Sequence, residues 1–193
     1  MNIWVSGKHT YDESKNVVSF QDGSEKRYEG LAIKLEIYQS RVKDWFFNVA
    51  MDHVKNGMSP GDYLALMVGL AYLEGVQQFR EGKETPSSQS SEWFKNSAKR
   101  AIPGYSLDVY NRLWKETRCG LFHSGFPNGK IYLSHNRTDA LVVDRDRLII
   151  NPLSFMQLIE DDFNTYINLL KKETSKELRE NFETLWDQLW DAS

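Results

Sequence analysis

Two side chains near the middle of this 193-residue chain have the types and the setting to do chemistry, Arg118 and His123. They stand at the C-terminal end of Ser106 to Phe126, SLDVYNRLWKETRCGLFHSGF, which reads as one amphipathic helix closed by a Gly-Phe-Pro-Asn-Gly breaker. Histidine titrates near neutral pH and can take or give a proton. Arginine is permanently charged and presents a planar fork suited to a phosphate. Together they could cleave RNA without a metal. The 2′-hydroxyl would attack its neighbouring phosphate, histidine would handle a proton, and arginine would stabilise charge building on the phosphoryl oxygens. Such a reaction wants both a base and an acid, and this stretch holds one histidine, so a two-fold dimer would have to supply the second.

A helical wheel sharpens the geometry. Leu107, Tyr110, Leu113, Trp114, Thr117 and Leu121 form the stripe expected to be buried. Asn111, Lys115, Arg118 and Phe122 lie along an adjoining edge, within about 60° of one another, so Lys115 and Asn111 are candidate phosphate ligands behind Arg118. His123, five residues on, falls about 140° from the arginine in an unbroken helix. Either the helix loosens after Gly120, or the arginine and histidine of two chains converge.

At these residues the chain resembles a known family. Arg118-Cys-Gly-Leu-Phe-His123, near the end of a bundle helix, is similar to the R-x4-6-H motif of HEPN domains. The resemblance implies a mainly α-helical bundle and a homodimer with the motif at the subunit interface. It also implies, for many members, metal-independent endoribonuclease activity in toxin–antitoxin, phage-defence or RNA-processing settings, with single-stranded RNA as substrate and an antitoxin or regulator as partner. Arg118 would be the phosphate ligand and His123 the proton-transfer group, with no cofactor and no metal. The residue after the arginine is commonly Asn, Asp or His in the family; here it is Cys119. The alternative is a non-catalytic HEPN-like module that binds a nucleotide, RNA or a protein. A third reading is a structural helical dimer joined through the apolar Tyr63 to Leu73 face.

The elements that must position this stretch are mostly helical. Residues 1–24 read as an irregular segment with one short strand at Asn16 to Phe20, and 25–193 as the helical domain. From Glu25, Leu31, Leu35, Tyr38, Val42, Trp45, Phe46, Val49 and His53 recur at helical spacing, predicting a long helix to about Lys55. Asn56-Gly57 would stop it and Ser59-Pro60 start the next, with the short Gly57-Met58 connection making the two antiparallel. That second helix is apolar nearly all round from Tyr63 to Phe79, which suits a central helix or one shared with a partner chain. Its Ala65, Gly69, Ala71 and Gly75 would permit close helix approach. A short helix at about Ser91 to Ile102 precedes the motif helix.

After Gly129 the pattern turns extended. Ile131 to Leu133, Ala140 to Val143 and Leu148 to Ile150 predict a small β-meander inserted at about 130–150. Asn151-Pro152 then opens a helix carrying Phe155, Leu158, Ile159, Phe163, Tyr166, Ile167 and Leu170, and a last amphipathic helix carries Leu178, Phe182, Leu185, Trp186, Leu189 and Trp190. The expected fold is mainly α, a bundle of four to six helices with a β insertion.

Composition narrows the partners. A net charge of −3 argues against a surface that grips nucleic acid everywhere, yet charge is unevenly placed. Lys95 to Arg118 carries six basic residues against two acidic ones, and Glu160 to Asp191 nine acidic against four basic. One cysteine excludes an intramolecular disulfide framework and Cys-based zinc clusters. The longest apolar run has eleven residues, short of the roughly 20 that span a bilayer, and the N-terminus lacks a signal pattern, so a cytoplasmic, non-membrane protein is expected. Among the remaining candidates, His53 reads as a core histidine and Cys119 as a small buried residue. Glu160 to Asp162 reads as a solvated face, Glu74 as an interface or site carboxylate or a solvated edge position, and His9 and His135 suggest no role.

Overall fold

The computed structural model describes residues 2–55 and 61–191. The Asn56-Gly57 stop, the Ser59-Pro60 start and the connection between them lie outside those residues. The fold is mainly α, with six continuous helical stretches among the described residues: 30–54, 61–81, 90–101, 107–124, 152–170 and 176–191.

The first of these combines α1 (Gly30–Ser40), a π-helical segment (Arg41–Phe47) and α2 (Asn48–Val54). A π turn takes its hydrogen bonds from i to i+5 and so holds one residue more than an α turn. The inward face is displaced accordingly. Leu35 and Tyr38 are buried as the helical spacing predicts, but from the last residue of the π segment onward the core receives Phe47, Ala50 and Val54. The predicted Phe46, Val49 and His53, each one residue earlier, face solvent. His53 is therefore not a core histidine.

Helix α3 (Gly61–Glu81) is the central element, packed against α2, α4 (Ser90–Ala101), α7 (Pro152–Leu170) and α8 (Lys176–Asp191). Of its small residues, Gly69 does the work of close approach: a Cβ there would fall 2.5 Å from the Phe155 ring, whereas Gly75 faces open space. The buried side of α3 presents Ala65, Leu66, Leu70, Leu73 and Val76 to the core. Its opposite side, with Leu64, Met67, Val68 and Ala71, floors an open apolar groove of about 470 Å³.

Helix α7 begins as its sequence predicts. Asn151 accepts from the backbone N–H of Leu153 and Ser154 at 3.0 and 3.2 Å, and Pro152 occupies the first turn. Its core stripe is also as expected, with one correction. Asp162 is buried rather than solvated, because Arg100 of α4 and Tyr72 of α3 reach it at 3.0 and 2.7 Å.

Two small sheets complete the body. Residues 2–24 are not irregular: β1 (Asn2–Ser6), β2 (His9–Asp12), β3 (Val17–Phe20, where the short strand is predicted) and β4 (Glu25–Arg27) form an antiparallel meander. Glu25–Arg27 is thus a strand, and the first helix starts at Gly30. Local turn chemistry makes the meander: Asp12 and Asp22 each accept from the N–H two residues on, Asn16 adopts φ 53° and Gly23 φ 83°. The sheet shares the helical core through Val5 and Val18. Its outer edge is fastened to α8, where Tyr28 stacks on Trp190 at 4.5 Å and accepts from Trp186 Nε1 at 2.6 Å. Burial pushes the Tyr28 phenol up to about 12.

The second sheet, β5 (Ile131–Leu133), β6 (Leu141–Asp144) and β7 (Arg147–Ile150), has strands where they are predicted but is not a meander. Its order is β5-β7-β6, with β5 parallel to β7, because the 134–140 connection carries the chain past the place beside β5 that β7 then fills. No helix among the described residues is long and apolar enough to cross a membrane.

The N-terminal sheet carries a pH dependence. His9 is 4% exposed, its Nδ1 lies 2.5 Å from Ser6 Oγ, and Phe20 meets its ring edge-on. Burial lowers its pKa from the ordinary 6.5, against a raising influence from Glu36. The unfolded chain therefore binds this proton at higher pH than the folded one. Stability from the neutral ring is fully present above 6.5 and lost as pH falls through 6.5 toward the lower folded value. Urea unfolding at pH 7.5 and 5.5 should show a loss at the lower pH that His9→Gln reduces.

Candidate functional site

The motif helix is continuous over 107–124 but is not uniform. It runs as α5 (Leu107–Arg112), a π segment (Leu113–Arg118) and α6 (Cys119–Ser124). Ser106 has the extended backbone of an N-cap, although its side chain caps nothing. Tyr110, Leu113, Thr117 and Leu121 are buried and Trp114 half-buried, as the wheel predicts. Leu107 is 56% exposed because the first helical residue stands outside the core, and Val109 is buried instead.

The helix does not loosen after Gly120. It stays α-helical to Ser124 and ends at Gly125, whose φ of 78° and N–H bond to the Leu121 carbonyl make a left-handed cap. The glycine at 120 has another reason. The following turn folds back onto it, so that a Cβ would lie 2.6 Å from Asn128 N and 2.8 Å from the Phe126 carbonyl oxygen. Asn128 N in turn donates to the Glu116 carbonyl at 2.6 Å. The breaker is docked on the helix.

Arg118 closes the π segment and is held on several sides. Its Nε and Nη2 both donate to Glu74 Oε2 of α3, at 3.1 and 2.9 Å. Its Cζ lies 5.0 Å from the centre of the Trp114 ring and 4.9 Å from that of Phe122, within cation–π reach. Both partners of the ion pair are about four-fifths buried. His123 is exposed, and its ring makes no hydrogen bond or ion pair among the described residues. The two are not brought together within one chain: regular α-helix separates them by five residues, leaving the offset of about 140° in place. Lys115 and Asn111 are exposed on the π and α5 segments. Cys119 is a half-buried free thiol.

The basic bias is smaller in space than in sequence. Of the six cations between Lys95 and Arg118, Arg100 is committed to Asp162, Arg112 to Glu116 and Arg118 to Glu74. Phe122, 41% exposed, is also the last wall of the apolar groove over α3, and Phe126 beyond His123 is 62% exposed.

One pairing escaped the sequence. His135 Nε2 lies 2.9 Å from Oδ2 of Asp62, a carboxylate only 3% exposed in the first turn of α3, and Asp62 Oδ1 is buried without a partner among the described residues. A loop histidine and a helix-start aspartate 73 residues apart carry no local signal of meeting. Among the described residues no three His, Cys, Asp or Glu side chains form a group that could hold a metal ion.

Compared with models of protein families, with curated proteins and with solved structures, the chain gives no match to any.

Proposed function

We propose that this chain is a HEPN-like, metal-independent endoribonuclease acting as a homodimer on single-stranded RNA. The observation that carries the reading is the contrast between its two motif residues: a guanidinium fixed at a helix end, and five residues on an exposed imidazole with no protein partner among the described residues. The fixed cation suits a phosphate ligand, and the free ring suits a proton carrier.

The unbroken α6 removes the single-chain route to a joined site and supports the dimeric one. The apolar groove flanking Phe122, together with exposed Phe46 and Leu64, offers a surface through which a second copy could bring its own motif close. One imidazole would then accept the 2′-hydroxyl proton as that oxygen attacks phosphorus. The other would give a proton to the departing 5′-oxygen. The products would be a 2′,3′-cyclic phosphate and a 5′-hydroxyl. Lys115 and Asn111 would contact flanking phosphates.

The second reading, a non-catalytic module for RNA, nucleotide or protein, is favoured by the existing engagement of Arg118 with Glu74. A cleavage assay on single-stranded RNA in EDTA separates the two. Wild type should cut and leave cyclic phosphate ends, whereas His123→Ala and Arg118→Ala should not, with circular dichroism unchanged. Equal cutting by all three proteins would remove both residues from the mechanism. Binding without cutting would favour the module, and a monomer at micromolar concentration in sedimentation would remove the source of the second histidine.

A further inference from the structure

Glu74 is the one charged residue in the apolar middle of α3, between Asp62 and Arg80. A carboxylate at a nucleic-acid site is an electrostatic liability, since it repels phosphate. The way it meets Arg118 suggests what offsets that repulsion. A guanidinium has five N–H donors. Glu74 Oε2 takes one from Nε and one from Nη2, which together form the side edge of the fork. Three donors remain, two on Nη1 and one on Nη2; one from each of these nitrogens forms the end edge, itself able to hold two phosphoryl oxygens. The rings of Trp114 and Phe122, four residues before and four after, bear on the same guanidinium. The end edge has no bonding partner among the described residues, and these contacts keep Arg118 from the alternative rotamers of a long side chain.

We propose that Glu74 is the positioning residue of the Arg118–His123 site, and that it acts on phosphate only through Arg118. The proposal rests on the reading of Arg118 as a phosphate ligand. It makes a prediction of opposite sign to simple electrostatics. If Glu74 merely repels the ligand, removing it tightens binding. If it aims the fork, removing it weakens binding although a negative charge has gone.

The probe is a fluorescent single-stranded 2′-O-methyl oligonucleotide, which cannot be cleaved, titrated into the full chain. Arg118→Ala and Glu74→Ala should each weaken binding by roughly tenfold, about 1.4 kcal/mol. Glu74→Gln keeps a carbonyl acceptor at the same place and should stay within about threefold of wild type. The double variant should bind no more weakly than Arg118→Ala alone, because both changes remove one interaction. Should Glu74→Ala fail to fold, Glu74→Met fills the space without an acceptor and carries the same expectation. Unchanged or tighter binding by the Ala and Met variants, or effects that add in the double variant, would overturn the positioning role while leaving Arg118 as ligand. Unchanged binding by Arg118→Ala would overturn that underlying reading, and the proposal with it.

Discussion

Asp162→Ala is expected to destabilise the fold by about 3 kcal/mol, the lower end of what breaking a buried ion pair costs. The carboxylate joins three helices. Arg100 Nε of α4 donates to its Oδ1 at 3.0 Å, and Tyr72 of α3 donates its hydroxyl to Oδ2 at 2.7 Å. Burial first, and then the Asp162 charge, raise the Tyr72 pKa, so the phenol stays a donor. Removing the carboxylate leaves a hydroxyl without its acceptor and a guanidinium without its counter-charge. Arg100 retains bonds to Gln77 and Ser97 and 28% exposure of its side chain, which is why the larger figures for fully enclosed pairs do not apply. Asp162→Asn keeps an acceptor and should lose less. Urea unfolding of both variants reads the difference, and a loss under about 1 kcal/mol for the alanine change would mean the network is not what joins these helices.

Phe47→Ala should lose about 3–5 kcal/mol, while Phe46→Ala should stay within about 0.5 kcal/mol of wild type. Phe47 is 1% exposed and meets the rings of Tyr72 and Phe163 at 5.3 and 5.6 Å. Truncating it opens a cavity at the centre of the aromatic core. Phe46 is half exposed on the groove. An uninterrupted α-helix would reverse the ranking, since its heptad spacing points Phe46 inward. Thermal or urea unfolding of the two variants therefore tests the π segment directly. Comparable losses for both, or the reverse order, would place the helix back in α register.

The same pair shows what could and could not be read from the chain. Helix periodicity was legible wherever the backbone kept one period, as in α7, whose Asn151-Pro152 start and Phe155-to-Leu170 stripe depend on residues within a few positions of each other. A π turn changes the register without changing composition, so the inward positions predicted at Phe46, Val49 and His53 are displaced by one. Of the N-terminal strands Val17–Phe20 was legible, and the others were hidden for a different reason. They are three to five residues long with polar and charged members, and the aromatic contacts that hold them come from α8 at the far end of the chain. The three later strands were visible as apolar runs, but their order was not, because pairing depends on where the 134–140 connection runs. At the site, the types and spacing of Arg118 and His123 were plain. The carboxylate that engages Arg118 reads in the sequence as an interface or site carboxylate or an edge position, but its pairing with Arg118 does not, since the two lie 44 residues apart.

The fastening of the first sheet to the last helix sets an order of events on the ribosome. Tyr11 and Tyr28 are made well before the ring they pack against, Trp190. At about 5–20 residues per second the interval between Tyr28 and Trp190 is roughly 8–30 s. Throughout that time the strands carry an uncovered aromatic face and await a partner that does not yet exist. The first sheet can therefore complete its aromatic packing only once α8 has been made.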